Sequence, residues 1–321
     1  MSVPSITLNN GSKVPVLGLG TWQGVDSPSE VESAVRLAID IGYRHFDCAA
    51  VYGNEREIGK VLREKIADGT VKREDLFIVT KVWNDDHKEQ EVVKACKDSL
   101  KKFGLDYIDL YLIHWPVSDS DDVDYIETWR GMEKCVELKL TKNIGLSNFN
   151  AEQIRRILAV AKIKPVMNQV ECHVNLVQKK LRDLCREYSI EITSYSPFGA
   201  PNTPGSNSGF KSVEKVTLDA PILLKLAEKY NKTKFQIALR FLVDIGTIPI
   251  PKSSTEKNLK ANFDIFDFKL TAEEIIEIEK LDSGKRTCPA VQENSNGCWC
   301  TSDEVSLHRP CSRTVSRVAL K

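Results

Sequence analysis

The hydrophobic pattern of the chain alternates between two periods. Short, mainly apolar runs, for example residues 77–81 and 108–114, precede longer segments such as Glu89–Phe103 in which apolar residues recur every three or four positions. The first pattern is typical of buried strands and the second of amphipathic helices. Eight such pairs follow one another, with predicted strands at residues 18–21, 44–47, 77–81, 108–114, 143–146, 166–171, 190–195 and 248–250.

Eight strands, each followed by a helix, predict an α/β fold in which a parallel sheet closes into a (β/α)8 or TIM barrel. An open doubly wound sheet is the alternative, and it usually carries Gly-x-Gly-x-x-Gly after its first strand. Here Gly18 and Gly20 are followed by Gly24, one position too late, and Trp22 stands where a diphosphate would approach. We therefore predict the barrel, as a single domain spanning residues 1–321.

Three segments lie outside the repeat. Residues 6–8 and 14–17 flank the turn sequence Asn9-Asn10-Gly11 and predict an N-terminal β-hairpin. Residues 198–212 are rich in glycine, proline, serine and asparagine, and residues 283–321 lack periodicity. We expect a mobile loop in the first case and an irregular, partly disordered tail in the second, both lying as long loops over the C-terminal face of the barrel.

Composition narrows the classes of function. The 45 basic and 45 acidic residues cancel, which leaves no field for steering toward nucleic acid or an anionic membrane. The N-terminus lacks the pattern of a signal peptide, and no apolar run is long enough to cross a bilayer. The nine cysteines include no C-x-x-C pair, which indicates free thiols in a reducing compartment. We expect a cytoplasmic protein without nucleic-acid or membrane partners.

A cluster of metal-binding residue types occurs near the end of the chain. Cys298, Cys300 and Cys311 lie close to His308, but their spacing fits no common set of zinc ligands. We therefore predict no metal site.

Ionisable side chains end three successive predicted strands. Asp47, Lys81 and His114 stand at these ends, and Tyr52 lies in the loop after the first of them. In a parallel barrel the carboxyl ends of the strands share one face, and neighbouring strands are about 4.8 Å apart. The four side chains are therefore predicted to converge.

Such a group suits the protonation of a carbonyl oxygen. A phenol ionises near pH 10, and a nearby ammonium group makes it a stronger acid. We expect Lys81 to lower the pKa of Tyr52, Asp47 to hold Lys81, and His114 to donate a hydrogen bond to the carbonyl oxygen. Each residue alone has an ordinary structural explanation, but their joint placement favours catalysis. His45, His87 and His173 lack such neighbours and are predicted to be structural.

A second polar stretch follows the last predicted strand. Ser253 and Glu256 fit a capping box at the start of a helix. The same helix N-terminus, with Lys252 and nearby hydroxyl groups, would also suit a phosphate. Because barrels often bind phosphates near their last strands, we predict a phosphorylated cofactor here.

Several motifs then resemble one family along nearly the whole chain. The sequence is similar to the aldo-keto reductases in GYRHFDCAAVYGNE at residues 42–55, LIHWP at 112–116, GLSNF at 145–149 and IPKSS at 250–254. The resemblance implies an NADPH-dependent carbonyl reductase with Tyr52 as the proton donor. His114, in place of a glutamate, resembles the carbonyl-reducing members.

The resemblance also implies the residues that bind the cofactor and the substrate. Cofactor contacts are expected from Gly20, Thr21, Trp22, Asp47, Ser147, Asn148, Gln169, Tyr195, Ser196, Phe198, Lys252, Ser253, Ser254, Asn258 and Asn262. Within this set, Ser147, Asn148 and Gln169 would hold the nicotinamide amide and Tyr195 would stack on its ring. Substrate contacts are expected from Trp22, Tyr52, Trp83, His114 and Trp115.

The chain departs from the family pattern at the expected adenosine site. Asn258 stands where members that bind NADPH tightly carry an arginine, and Ala261 replaces a glutamate. Asparagine does not reproduce the fork of arginine, so NADH is a further candidate cofactor beside NADPH. The expected substrate is a small aldehyde or ketone, and a weaker resemblance to insect members suggests 3-oxo ecdysteroids.

Two other functions are possible for a chain with this pattern. Some relatives with this fold have non-catalytic NADP(H)-binding roles, but here the four catalytic residue types are all present. A metal-dependent barrel hydrolase would need a histidine and carboxylate ligand set that the predicted strand ends lack. The expected protein is a monomeric oxidoreductase.

Overall fold

The computed structural model describes residues 3–22, 28–119, 123–199 and 216–288. Of the predicted loop at residues 198–212, only residues 198 and 199 are described, and the rest lies outside the described residues. Of the predicted tail at residues 283–321, the part from residue 289 onward lies outside them as well. Within the described parts, the strands are β1 (Ser5–Thr7), β2 (Lys13–Pro15), β3 (Leu19–Gly20), β4 (His45–Asp47), β5 (Phe77–Val82), β6 (Ile108–Ile113), β7 (Thr141–Ser147), β8 (Met167–Glu171), β9 (Glu191–Tyr195) and β10 (Thr247–Pro249).

The helices lie between and after these strands. They are α1 (Pro28–Ile41), α2 (Glu55–Ala67), α3 (Glu89–Phe103), α4 (Tyr125–Glu137), α5 (Ala151–Val160), α6 (Lys179–Glu187), α7 (Pro221–Tyr230), α8 (Lys234–Asp244), α9 (Glu256–Phe263) and α10 (Ala272–Glu279). No helix of the described residues combines the length and the apolar character needed to cross a membrane.

Local sequence explains where these helices begin and end. The buried positions of α3 recur every three or four residues, and Gly104 ends this helix with a φ of 64°. Asn150 and Gln153 form a capping box at the start of α5, as do Thr233 and Gln236 at the start of α8.

Strands β3 to β10 form one parallel sheet whose spatial order is the order of the sequence. The sheet closes into a barrel because the region of β3 is hydrogen-bonded to that of β10. The N–H groups of Gly18 and Gly20 donate to the carbonyl groups of Pro249 and Pro251 at 3.1 and 3.2 Å. A Cβ atom at Gly20 would lie 2.7 Å from the carbonyl oxygen of Ile250, so glycine permits this approach. The predicted (β/α)8 barrel is confirmed.

The predicted hairpin is confirmed as well. Strands β1 and β2 pair antiparallel, and Leu8 and Val14 pack with Val79, Leu110 and other apolar residues of the barrel strands. Two other large apolar clusters lie between the sheet and the surrounding helices, and a third lies among α7, α8, α10 and the segment after β8. This packing closes the N-terminal end of the barrel and leaves functional side chains to the carboxyl ends of the strands.

Candidate active site

Lys81 is completely buried near the carboxyl end of β5 and is surrounded by oxygen atoms. Its Nζ donates to Asp47 Oδ2 at 2.7 Å, to the Cys48 carbonyl at 2.8 Å and to the Tyr52 hydroxyl at 3.5 Å. A buried ammonium group needs such partners because it has lost its hydration shell. The structure thus brings together three of the four predicted catalytic side chains.

The carboxylate of Asp47 forms hydrogen bonds with side chains of two other strands, β8 and β5. Its Oδ1 accepts a hydrogen bond from Gln169 Nε2 at 2.7 Å, while its Oδ2 binds Lys81. Its main-chain carbonyl accepts from the N–H and hydroxyl groups of Thr21 at 3.1 and 2.8 Å. Both carboxylate oxygens are therefore held, and the carboxylate holds Lys81 in turn.

Tyr52 stands on a single 3-10 turn, Ala50–Tyr52, between β4 and α2. Burial raises the pKa of its phenol well above the ordinary value of 10, and the negative charge of Asp47 adds to the increase. The sequence had predicted a lowered pKa from the ammonium group of Lys81, and that prediction was wrong in direction. The desolvation of the phenolate, which depends on tertiary packing, is the dominant cause. The phenol is accordingly held in its protonated form.

His114 follows β6 and faces the same space. Its ring meets Trp83 and Tyr52 edge to face, with centroids 5.0 and 5.8 Å apart, and stacks on Trp115 at 6.4 Å. Burial lowers the pKa of His114 well below 6.5, and the positive charge of Lys81 lowers it further. The imidazole is therefore neutral and carries one N–H group, which is compatible with donating a hydrogen bond to a carbonyl oxygen.

Amide and hydroxyl groups line the neighbouring strand ends. Asn148 Nδ2 donates to the His114 carbonyl at 2.9 Å and to Ser147 Oγ at 3.2 Å, and Asn148 Oδ1 accepts from the Tyr195 hydroxyl at 2.9 Å. Because Gln169 binds Asp47, this group is continuous with the buried ion pair. The structure thus gathers the residues predicted to surround a nicotinamide amide.

The predicted phosphate site lies beyond β10, where Ser253 is buried and Lys252 is exposed. The hydroxyl group of Thr255 caps α9 by accepting from the Asn258 N–H at 3.4 Å. The alternative interpretation, a capping box made by Ser253 and Glu256, is therefore wrong, because the N-cap residue is Thr255, two residues after Ser253. Asn262 is buried within α9.

The remaining predicted residues border the mouth of the barrel. Trp22 is 38% exposed, whereas Trp83 and Trp115 are half-buried. Ser196 is half-buried beyond β9, and Phe198 meets Phe235 edge to face at 5.1 Å.

Glu171 makes a buried long-range contact that the sequence did not predict. This fully buried carboxylate at the end of β8 accepts hydrogen bonds at its Oε1 from Thr287 N–H, Thr287 Oγ1 and Cys288 N–H at 2.7, 2.7 and 3.0 Å. The Cys288 sulfur lies 3.3 Å from Ser196 Oγ. A carboxylate that ends an apolar run was the available signal, but it did not reveal the partner 116 residues away.

The six cysteines of the described residues are free thiols. Within these same residues, no group of three or more His, Cys, Asp or Glu side chains is arranged to bind a metal ion. Cys298, Cys300, Cys311 and His308 lie outside the described residues.

The barrel and the cluster of Asp47, Tyr52, Lys81 and His114 define a class of protein, the barrel oxidoreductases that act on carbonyl groups. Comparison with known proteins agrees, since the model of the aldo/keto reductase family matches residues 16–283. Aldo-keto reductase family 1 member A1-A of Danio rerio is 42% identical over 313 residues, which cover 92% of this chain and 95% of that protein.

Two further comparisons concern similar proteins from other animals. The crystal structure of Bombyx mori aldo-keto reductase AKR2E4 in complex with NADP has a TM-score of 0.84 and 44% identity, covering 90% of this chain and 96% of that one. Estradiol 17 beta-dehydrogenase 5 of Mus musculus is 41% identical over 302 residues, covering 88% and 92%. The chain belongs to the aldo/keto reductase family, whose members are NAD(P)H-dependent oxidoreductases.

Proposed function

We propose that this protein reduces aldehydes and ketones to alcohols with NADPH, and that Tyr52 supplies the proton. The observation that carries the proposal is the contact network of Lys81, whose one ammonium group binds both Asp47 and Tyr52. The full chain is proposed to act as a single-domain, cytoplasmic monomer.

The donor set fits a nicotinamide dinucleotide. Asn148, Ser147 and Gln169 offer amide and hydroxyl groups at adjoining strand ends, which match the donors and acceptors of a carboxamide. At the other end, Lys252, Ser253 and the start of α9 offer a cation, a hydroxyl group and helix N–H groups, which suit the 2′-phosphate of NADPH. The silkworm relative was crystallised with NADP, which supports the same cofactor here.

When bound, the reduced cofactor supplies a hydride to the carbonyl carbon. The protein's own task is to activate the carbonyl and to protonate its oxygen. The neutral His114 would orient the oxygen by donating a hydrogen bond, and Tyr52 would transfer its phenolic proton to it. The ammonium group of Lys81, 3.5 Å from the phenolic oxygen, would stabilise the phenolate that remains, and Asp47 keeps Lys81 in position.

The rings at the mouth favour substrates with an apolar body next to the carbonyl. Trp83, His114 and Trp115 form a continuous aromatic wall beside Tyr52. Ring-containing ketones, including 3-oxo ecdysteroids, are therefore proposed alongside simple aldehydes. The similarity to an estradiol dehydrogenase of mouse supports including steroids among the test compounds.

The decisive test combines a substrate panel with one substitution. Purified protein is mixed with NADPH and aromatic, aliphatic or steroid carbonyl compounds, and the absorbance of the reduced nicotinamide is followed. Tyr52→Phe should lower kcat by at least about 100-fold, because it removes the general acid, while the Kd for NADPH stays within twofold. Tyr107→Phe is the control, since the Tyr107 ring contacts Arg73 and Lys142 rather than the proposed catalytic side chains.

Two results would contradict the proposal. Nucleotide binding without turnover of any carbonyl compound would favour a non-catalytic role for the same fold. Full activity in Tyr52→Phe would mean that another group donates the proton.

A further inference from the structure

Lys252, which is expected to bind the 2′-phosphate of the cofactor, lies opposite the carboxylate of Glu30. Glu30 lies in the first turn of α1, and its Oε1 is 3.9 Å from the Nζ of Lys252. Both side chains are partly exposed, at 45% for Lys252 and 42% for Glu30, so the pair is accessible to a ligand. Attraction between exposed partners of this kind is weak, and a doubly charged phosphate would easily compete for Lys252.

We infer that Glu30 is a specificity-determining residue that weakens the preference of this protein for NADPH over NADH. The inference rests on the proposed function, in which Lys252 binds the 2′-phosphate. NADH has no phosphate at this position, so it would leave the Lys252–Glu30 pair intact. NADPH would either displace Glu30 from Lys252 or place a second negative group near the same ammonium.

The arrangement of the neighbouring residues strengthens the effect of Glu30. Asn258, an exposed residue in the first turns of α9, supplies no positive charge that could balance this carboxylate. Glu256, in the first turn of the same helix, adds a second carboxylate, although it binds Lys260 at 2.6 Å. The charge of Lys252 is thus opposed from α1, and position 258 of α9 carries no arginine in compensation, although the exposed Lys257 lies beside it.

Glu30 is also held in place by its own helix. A carboxylate in the first turn of a helix is favoured by the helix dipole, so the Glu30 side chain is expected to stay near the start of α1. A phosphate that binds Lys252 would lie within about 6–8 Å of the carboxylate. Coulomb's law in water then gives a penalty of about six- to tenfold in affinity for a doubly charged group, and screening at low ionic strength reduces it to about fivefold.

The test measures nucleotide affinity directly, by isothermal titration with NADPH and NADH at low ionic strength. Glu30→Gln should lower the Kd for NADPH about fivefold and leave the Kd for NADH within twofold. Glu32→Gln is the matched control, because this carboxylate lies on the same helix but binds Lys60 at 2.7 Å. The gain in Glu30→Gln should shrink at 0.3 M salt, since exposed charges are then screened.

A third variant separates this inference from the proposed function. Lys252→Met should raise the Kd for NADPH and leave that for NADH nearly unchanged, which would establish the phosphate contact. If that contact holds and Glu30→Gln behaves like Glu32→Gln, the role of Glu30 is refuted and the reductase proposal stands. If Lys252→Met leaves the ratio of the two affinities unchanged, the inference is overturned through its premise. If the wild type binds neither nucleotide, the proposed function fails as well.

Discussion

Asp47 contributes to the fold as well as to the site, because Lys81 is buried together with it. The ammonium group has no exposed surface, and Asp47 is the single carboxylate that pairs with it among the described residues. Removing one partner of a buried ion pair leaves the other without compensation, which is far more costly than removing an exposed pair. The catalytic arrangement therefore carries a stability requirement of its own.

Asp47→Asn should lower the free energy of unfolding by about 3–5 kcal/mol, because it strands the buried charge of Lys81. Urea unfolding followed by circular dichroism measures the change. Asp183→Asn is the control, since this carboxylate binds Arg186 at 2.8 Å on the surface and should contribute less than about 1 kcal/mol. Equal changes in the two variants would show that Lys81 is stable without its counterion.

At the level of single residues, the sequence located the groups whose positions depend on strand order. Asp47, Lys81 and His114 end neighbouring strands, so the repeat alone places them on one face. The direction of the Tyr52 pKa could not be predicted, because it depends on how completely the phenol is desolvated. The contact between Glu171 and Thr287 also escaped, because nothing local to Glu171 indicates where the chain returns.

At the level of elements, the existence of each helix and strand could be predicted, whereas some boundaries could not. Strand β3, predicted at residues 18–21, contains only Leu19–Gly20. The N-cap of α9 could not be predicted from the local pattern, because Ser253, Ser254 and Thr255 are all acceptable N-cap residues.

The contact between α2 and α3 depends on one small residue. A Cβ atom at Gly59 would lie 2.3 Å from the Phe103 carbonyl oxygen and 2.4 Å from its Cα, so the two helices would have to separate. Gly59→Ala should therefore destabilise the protein by about 1–3 kcal/mol. This is opposite to the gain of about 1 kcal/mol expected from helix propensity alone.

Thermal unfolding of Gly59→Ala can be compared with that of Arg56→Ala, at an exposed position of the same helix. Arg56→Ala should change the melting temperature little. A melting temperature of Gly59→Ala at or above that of the wild type would mean that α2 and α3 approach less closely than described.

For the whole molecule, closing the barrel buries polar groups together with the apolar core. His45, His87 and His114 are all buried, and burial lowers the pKa of His45 and of His87 to about 4 and that of His114 well below 6.5. In the unfolded chain, each imidazole would titrate near 6.5. The three histidines thus link the stability of the fold to pH.

The unfolded state takes up these protons first as the pH falls, so the stabilisation is complete above about pH 7 and is lost progressively below 6.5. Lowering the pH from 7.5 to 5.5 should reduce the free energy of unfolding by about 1 kcal/mol for each of these histidines. Urea unfolding at pH 7.5, 6.5 and 5.5 measures this slope. His87→Asn should remove about a third of it, whatever the substitution does to stability at pH 7.5. A slope identical to that of the wild type would mean that His87 takes up its proton at the same pH in the folded protein as in the unfolded chain.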